Sequence, residues 1–259
     1  MHPLINIATK AARKAGQMIY RAMDNMDSVK VSEKGHNDFV SNIDKRSETI
    51  IIETIHEAYP DHAILAEESG KHDGSDIVWI IDPLDGTNNF LYGIPQFAIS
   101  IAVMENNRIQ HVLVYDPVKN ELFTASRGAG ASLNGNRIRV NQTRDLSSSM
   151  IGTGFNAGAK PDLDMYMAIM TDFLKQCRDV RRPGAAALDL CYVAAGRYDA
   201  FYEFNLNIWD VAAGALIIEE AGGLVDDVTG KQKYLETGNI VAAPPKLFPE
   251  IIKTIKRHQ

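Results

Sequence analysis

Hydrophobic positions recur along this chain with two distinct periods. Leu4, Ala8, Ala11, Ala12, Ala15, Ile19 and Ala22 repeat at helical spacing, which predicts an amphipathic helix over residues 4–23 with a basic outer face. Val29–Val31 reads as a strand and Lys34-Gly35-His36-Asn37-Asp38 as a loop. A second helix is expected over residues 45–58, with Ile51, Ile52 and Ile55 inward and Pro60 as its stop. Ala63–Ala66 and Ile77–Ile81 are short apolar strands that each run into acidic residues. Phe97–Met104, Arg108–Tyr115 and Glu121–Ser126 follow as strands, with Asn106-Asn107 and Asp116-Pro117 as turns.

Beyond Met150 the two periods alternate. Strands are expected at 150–155, 198–204, 223–226 and 240–243, and helices at 162–177, 185–195, 211–221 and 246–257. No internal repeat or long linker interrupts this order. The fold class is α/β (α+β): a layered sandwich whose first sheet is largely antiparallel. One unit spanning 1–259 is expected, with an N-terminal half (1–145) and a C-terminal α/β half (146–259).

Composition narrows the class. With 259 residues, 45% hydrophobic and 23% charged, the chain can bury a core without staples. No apolar run approaches the roughly 20 residues of a membrane span, and the N-terminus lacks a secretory pattern. The two cysteines, Cys177 and Cys191, have no metal or redox spacing, which suits a reducing cytoplasmic setting. A net charge of -6 argues against general nucleic-acid binding.

Candidate chemistry concentrates after the Ile77 strand, in Asp82-Pro83-Leu84-Asp85-Gly86-Thr87. Pro83 is expected to end the strand ladder. Two carboxylates three residues apart repel each other and call for a cation, and oxygen donors suit Mg²⁺ or Mn²⁺ better than zinc. Gly86 lets the backbone approach an anion, and the Gly86 and Thr87 amides could cap a phosphate. The same residues also fit an ordinary Asp-Pro turn with helix caps. Glu67-Glu68-Ser69 ends another strand. Asp44 reads equally as a helix cap or an active-site group, Asp210 as a helix-start carboxylate or a ligand. Glu203, at a strand end, fits surface or site. Gly152-Thr-Gly154-Phe-Asn-Ala157 formally matches a dinucleotide fingerprint, but Pro161 interrupts the helix that motif needs.

Taken in order, Glu67-Glu68-Ser69, Asp82 to Thr87 with Asn89-Phe90, and Trp209-Asp210 with Glu220-Ala-Gly-Gly223 resemble the inositol monophosphatase family of lithium-sensitive, Mg²⁺-dependent phosphatases over essentially the whole chain. The resemblance implies an alternating αβαβα fold. It places a first metal on Glu67, Asp82 and the Leu84 carbonyl, and a second on Asp82, Asp85 and Asp210. A third ion would be reached from Glu67 through water. Mn²⁺ is an expected substitute, and Li⁺ or Ca²⁺ expected inhibitors. Gly86 and Thr87 would bind phosphate, and Asp44 with Thr87, or Glu67, would orient the attacking water. Glu203 would meet substrate hydroxyls, and Gly184, Ala185 and Ala186 would line the pocket. Also implied are a homodimer and, from a bacterial branch of the family, a transcription-machinery partner in ribosomal RNA synthesis. Related members acting on fructose bisphosphate, nucleotide 3′-phosphates or NADP are the alternative substrates.

Overall fold

The computed structural model describes residues 2–35, 38–155 and 162–259. His36 and Asn37 of the expected loop, and Asn156, Ala157 and Pro161 of the fingerprint, lie outside them. The N-terminal half runs α1 (Pro3–Met23), β1 (Val31–Gly35), β2 (Asp38–Ser41), α2 (Asn42–Ala58), β3 (Ala63–Ala66), β4 (Gly70–His72), β5 (Ile77–Asp85), α3 (Thr87–Leu91), β6 (Ala98–Glu105), β7 (Arg108–Asp116), β8 (Glu121–Ser126), β9 (Gly130–Leu133) and β10 (Asn136–Arg137). The C-terminal half runs β11 (Met150–Thr153), α4 (Leu163–Gln176), β12 (Asp179–Arg181), α5 (Ala186–Ala194), β13 (Ala200–Glu203), α6 (Ile208–Glu220), β14 (Leu224–Asp226), α7 (Tyr234–Thr237), β15 (Ile240–Ala243) and α8 (Phe248–Lys256).

An eight-stranded sheet has the order β10-β9-β8-β7-β6-β5-β3-β4, and a five-stranded sheet the order β12-β11-β13-β15-β14. The larger sheet is antiparallel except where β3 pairs β5. Alternation along its strands assigns side chains to layers. Ile99, Ile101 and Val103 face α1 and α2, whereas Ala98 and Ala102 face the buried pair α5 and α6. The other side of that pair packs on Phe201, Ile240 and Ala242 of the smaller sheet. The outer face of the smaller sheet carries Ile151, Tyr202 and Val241 against α4 and α8. The layers therefore alternate αβαβα. Every side chain of α5 is buried, as a helix between two sheets requires. By contrast α1 buries one stripe and keeps its basic face in water.

Two expectations need correction. Pro83 does not end its strand: β5 continues to Asp85, and pairing with β6 steps from Asp82–Ser100 to Asp85–Ala98 across a bulge. A bulge leaves residues outside the ladder, so a missing amide costs nothing there. The expected loop at 34–38 is shorter, because Val31–Gly35 and Asp38–Ser41 pair as an antiparallel hairpin. Four short elements, β4, β10, β12 and α7, carry no period to read.

Candidate active site

The register of two parallel strands builds the centre. Ala66 of β3 lies beside Ile81 of β5, so the next residues, Glu67 and Asp82, emerge at the same sheet end. The Glu67 amide extends that ladder by donating to the Ile81 carbonyl at 3.1 Å. On the opposite side Asp82 pairs with Ser100 of β6, whose hydroxyl donates to the Trp209 carbonyl at 3.1 Å. That bond brings the first turn of α6, and with it Asp210, to Asp82. The Asn207 amide donates to Asp210 Oδ2 at 2.7 Å, so Asp210 closes the capping box of α6. Asp85 accepts from the Ala187 amide at 2.8 Å and thereby ties β5 to the start of α5.

These acids influence one another. Burial, then the charges of Glu67, Asp85 and Asp210, pushes Asp82 well above the usual carboxylate range. Burial pushes Asp85 up to about 7, opposed by the Ala187 amide and reinforced by Glu67. Asp210 rises to about 7, from burial and then from Asp85, and lies within hydrogen-bonding reach of Asp82. Burial drives Glu203 up to about 8, and Asp210 and Asp85 add to the push.

The donor set is all oxygen, and its cost falls when a hard divalent cation neutralises it, so the residues fit such an ion. Among the described residues no three His, Cys, Asp or Glu side chains close on one point in ligand geometry. The residues that would hold a metal are Glu67, Asp82, Asp85, Asp210 and the Leu84 carbonyl.

Beside the acids stands a hydroxyl. Thr87, first residue of α3, places its Oγ1 2.7 Å from Asp44 Oδ1 and 3.0 Å from the Leu84 carbonyl. Asp44 fills the cap reading as the third residue of α2: its Oδ2 accepts from the Ser41 amide at 2.9 Å and the Ser41 hydroxyl at 2.5 Å, while its Oδ1 is left to Thr87. Gly86, before Thr87, has φ +93°, and a Cβ there would stand 2.9 Å from the Gln96 carbonyl and 3.3 Å from Ala185 Cβ. Only glycine fits that position. The contact also sets the pocket turn Gly184-Ala185-Ala186 against the motif.

Glu203 ends β13 beside Gly154. A Cβ on Gly154 would lie 2.1 Å from Glu203 Oε2, so the missing side chain gives the carboxylate its place. This accounts for the glycine that the dinucleotide pattern had flagged.

Further residues shape the site. The Asn89 amide nitrogen donates to the carbonyls of Gln96 at 2.7 Å, Pro183 at 2.9 Å and Gly184 at 3.2 Å, stapling the pocket turn. The Ser47 hydroxyl donates to the Pro83 carbonyl at 2.8 Å. Glu48 accepts the Glu68 and Ser69 amides at 2.8 and 2.9 Å. Helical spacing from Asp44 (i+3, i+4) was the available signal for Ser47 and Glu48. Asp189 is 1% exposed, and among the described residues its Oδ1 has no hydrogen-bond partner.

A putative Nus factor SuhB of Neisseria meningitidis serogroup B is 52% identical over 260 residues, covering 100% of both chains. Nus factor SuhB of Escherichia coli K12 is 50% identical over 258 residues, or 99% of this chain and 97% of that one. Among solved structures, extragenic suppressor protein suhB from Bartonella henselae superposes with a TM-score of 0.97 at 40% identity, covering 100% of each chain. An IMPase from Thermotoga maritima gives 0.90 at 34% identity over 99% of this chain and 98% of that one. The inositol monophosphatase family model matches residues 1–259, and the chain belongs to the inositol monophosphatase family.

Proposed function

We propose that this protein is a phosphomonoesterase dependent on Mg²⁺, or Mn²⁺ in its place, that hydrolyses myo-inositol monophosphates and related polyol phosphates. The carrying observation is that buried Asp82 feels the charges of Glu67, Asp85 and Asp210, each of which raises its proton affinity. Divalent metal use is a property of the family. A bound divalent ion supplies positive charge to the phosphate dianion and makes water a stronger acid.

The chain's own residues do the rest. Thr87 Oγ1 gives its proton to Asp44, the nearer acceptor, which leaves a lone pair for a proton of the attacking water. Ser41 fixes Asp44 in turn. Gly86 and Thr87 offer amides to the phosphate, and Gly184, Ala185 and Ala186 wall the alcohol side. Glu203, buried and raised to about 8, holds its proton near neutral pH, so it can both donate to and accept from sugar hydroxyls. We place one working unit on residues 1–259, because Asp82 and Asp85 come from the first half and Asp210 and Ala187 from the second. Lithium inhibition, a homodimer and a cytoplasmic location belong to the same reading; among the described residues no helix is long and apolar enough to cross a membrane.

Phosphate release from inositol, glycerol, sugar and nucleotide phosphates, with Mg²⁺ or with chelator, tests this directly. Hydrolysis that persists in chelator, or no polyol phosphate turned over, removes it. A second reading rests on the names of the relatives, Nus factor SuhB at 50% identity and its putative counterpart at 52%. In that reading the protein also joins the transcription machinery. Co-purification with RNA polymerase factors, retained in a catalytically dead variant, would support it.

A further inference from the structure

One face of α2 touches two of the three segments that carry the acids, Glu67–Ser69 and Asp82–Thr87. Asp44 takes the Thr87 hydroxyl, Ser47 holds the Pro83 carbonyl between Asp82 and Leu84, and Glu48 takes two amides just after Glu67. Residues 44, 47 and 48 are i, i+3 and i+4, a single helical face. Glu48 is 4% exposed, and both its oxygens are spent on consecutive amides, Glu68 N on Oε2 and Ser69 N on Oε1. A carboxylate that accepts two amides fixes a peptide plane more firmly than a neutral acceptor, because both bonds are charge-assisted. The plane so fixed begins at the carbonyl of Glu67, so the clasp sets the direction in which Glu67 leaves its strand.

We infer that Glu48 is a positioning residue that aims Glu67 at the metal centre by clasping the Glu68 and Ser69 amides. The inference rests on the metal-dependent reading above and adds that metal affinity is set partly from α2. Glu48 reaches the site only through backbone, so it is not a ligand. Groups that orient ligands typically change metal affinity by about 10–100-fold when altered.

The molecule contains its own control. Glu220, at the far end of α6, clasps the Gly128 and Gly130 amides at 2.7 Å each. The chemistry is the same, but ten residues of helix separate it from Asp210, about 15 Å of rise. Both clasps support a loop; only the Glu48 clasp adjoins a proposed ligand.

The test compares wild type, Glu48→Gln and Glu220→Gln by thermal melting across a Mg²⁺ titration and by calorimetric Mg²⁺ binding. Glutamine keeps the volume but can accept only one of the two amides. Both variants should melt lower than wild type without metal. Glu48→Gln should need about tenfold more Mg²⁺ or more for half-saturation, whereas Glu220→Gln should match wild type. Glu48→Asp, which keeps both oxygens on a shorter arm, carries the test if Glu48→Gln does not fold, and should fall between them. Equal half-saturation in all variants, or equal weakening at Glu220, overturns the inference and leaves the phosphatase reading standing. A wild type whose melting ignores Mg²⁺ and Mn²⁺ overturns both.

Discussion

Thr87 and Asp44 are 43 positions apart in sequence, yet the threonine hydroxyl donates to the Asp44 carboxylate at 2.7 Å. The same aspartate caps α2 through Ser41, so its orientation is set before substrate arrives. A hydroxyl whose proton is committed to a fixed acid presents its lone pair in a fixed direction. Thr87→Ala should therefore lower turnover by about 10²–10⁴, the range for a positioned proton-handling group. Asp44→Asn should do the same and also cost about 0.5–2 kcal/mol of stability through the weakened cap. The Mg²⁺ dependence of melting should stay near wild type in both. Loss of the Mg²⁺ response on either change would make that residue a ligand and pass water activation to Glu67.

Glu203 should act on the alcohol and not on the phosphate. Glutamine is isosteric with the protonated acid, and burial already holds Glu203 protonated up to about 8. Glu203→Gln should therefore fold with unchanged or raised stability. It should lose about 1–3 kcal/mol of transition-state binding for inositol phosphates, since the amide NH2 cannot accept from a hydroxyl where the second carboxyl oxygen can. A small aryl phosphate, which offers no hydroxyls, should lose much less. Equal losses in kcat/KM on both substrates would remove Glu203 from the specificity role.

Sequence made most of this architecture legible, and the gaps have physical causes. The stripe Leu4, Ala8, Ala12, Ala15, Ile19 gave α1 because water faces its other side. The helices α5 and α6 were legible as apolar lengths ending near glycines, since both of their faces meet sheets. Elements of two to four residues, such as β10, β12 and α7, are held by neighbours and not by their own period. Pro83 misled because the ladder tolerates it at a bulge. Asp82, Asp85 and Asp210 stood out as acids at element ends. Glu48 did not, because its work is done on amides 20 and 21 residues away, and no residue type in the chain marks an amide that needs a partner.

The metal-free protein should lose stability as pH rises. Asp85 and Asp210 titrate at about 7 in the fold and Glu203 at about 8, against unfolded values of about 4. Between those limits the folded state binds more protons than the unfolded state, so the slope of unfolding free energy with pH is negative. The fall should begin near pH 4 and run through pH 8, with buried Asp82 and Asp189, also raised, adding to it. At lower pH the sign reverses at groups such as Asp172, which the His258 hydrogen bond holds below its ordinary value. The metal-free optimum should thus sit on the acidic side of neutral. Mg²⁺ binds the deprotonated carboxylates, so its stabilisation should grow over the same range. Melting temperatures from pH 4.5 to 8.5, in chelator and in Mg²⁺ at fixed ionic strength, read both trends. A chelated protein that gains stability from pH 5 to 8 would show that the cluster is not the dominant titrating unit.

Asp82 carries the sharpest test because it is central to the acids and has a plain structural alternative. Its Oδ1 accepts the Leu84 amide at 2.9 Å, as an Asx turn would. Asp82→Asn keeps that oxygen acceptor and removes one negative charge from among Glu67, Asp85 and Asp210. If repulsion governs the site, the variant should melt at the wild-type temperature or higher without metal. It should also lose the shared ligand, so the Mg²⁺ stabilisation should nearly vanish. That stabilisation is about 2.7 kcal/mol in wild type at a hundredfold excess over Kd. Turnover should be abolished. The three readouts separate the two roles: a cap held by charge would lower the metal-free melting point, and a ligand would not. A variant that melts well below metal-free wild type while retaining its Mg²⁺ shift would make Asp82 a turn residue. The metal centre would then have to be rebuilt on Glu67, Asp85 and Asp210 alone.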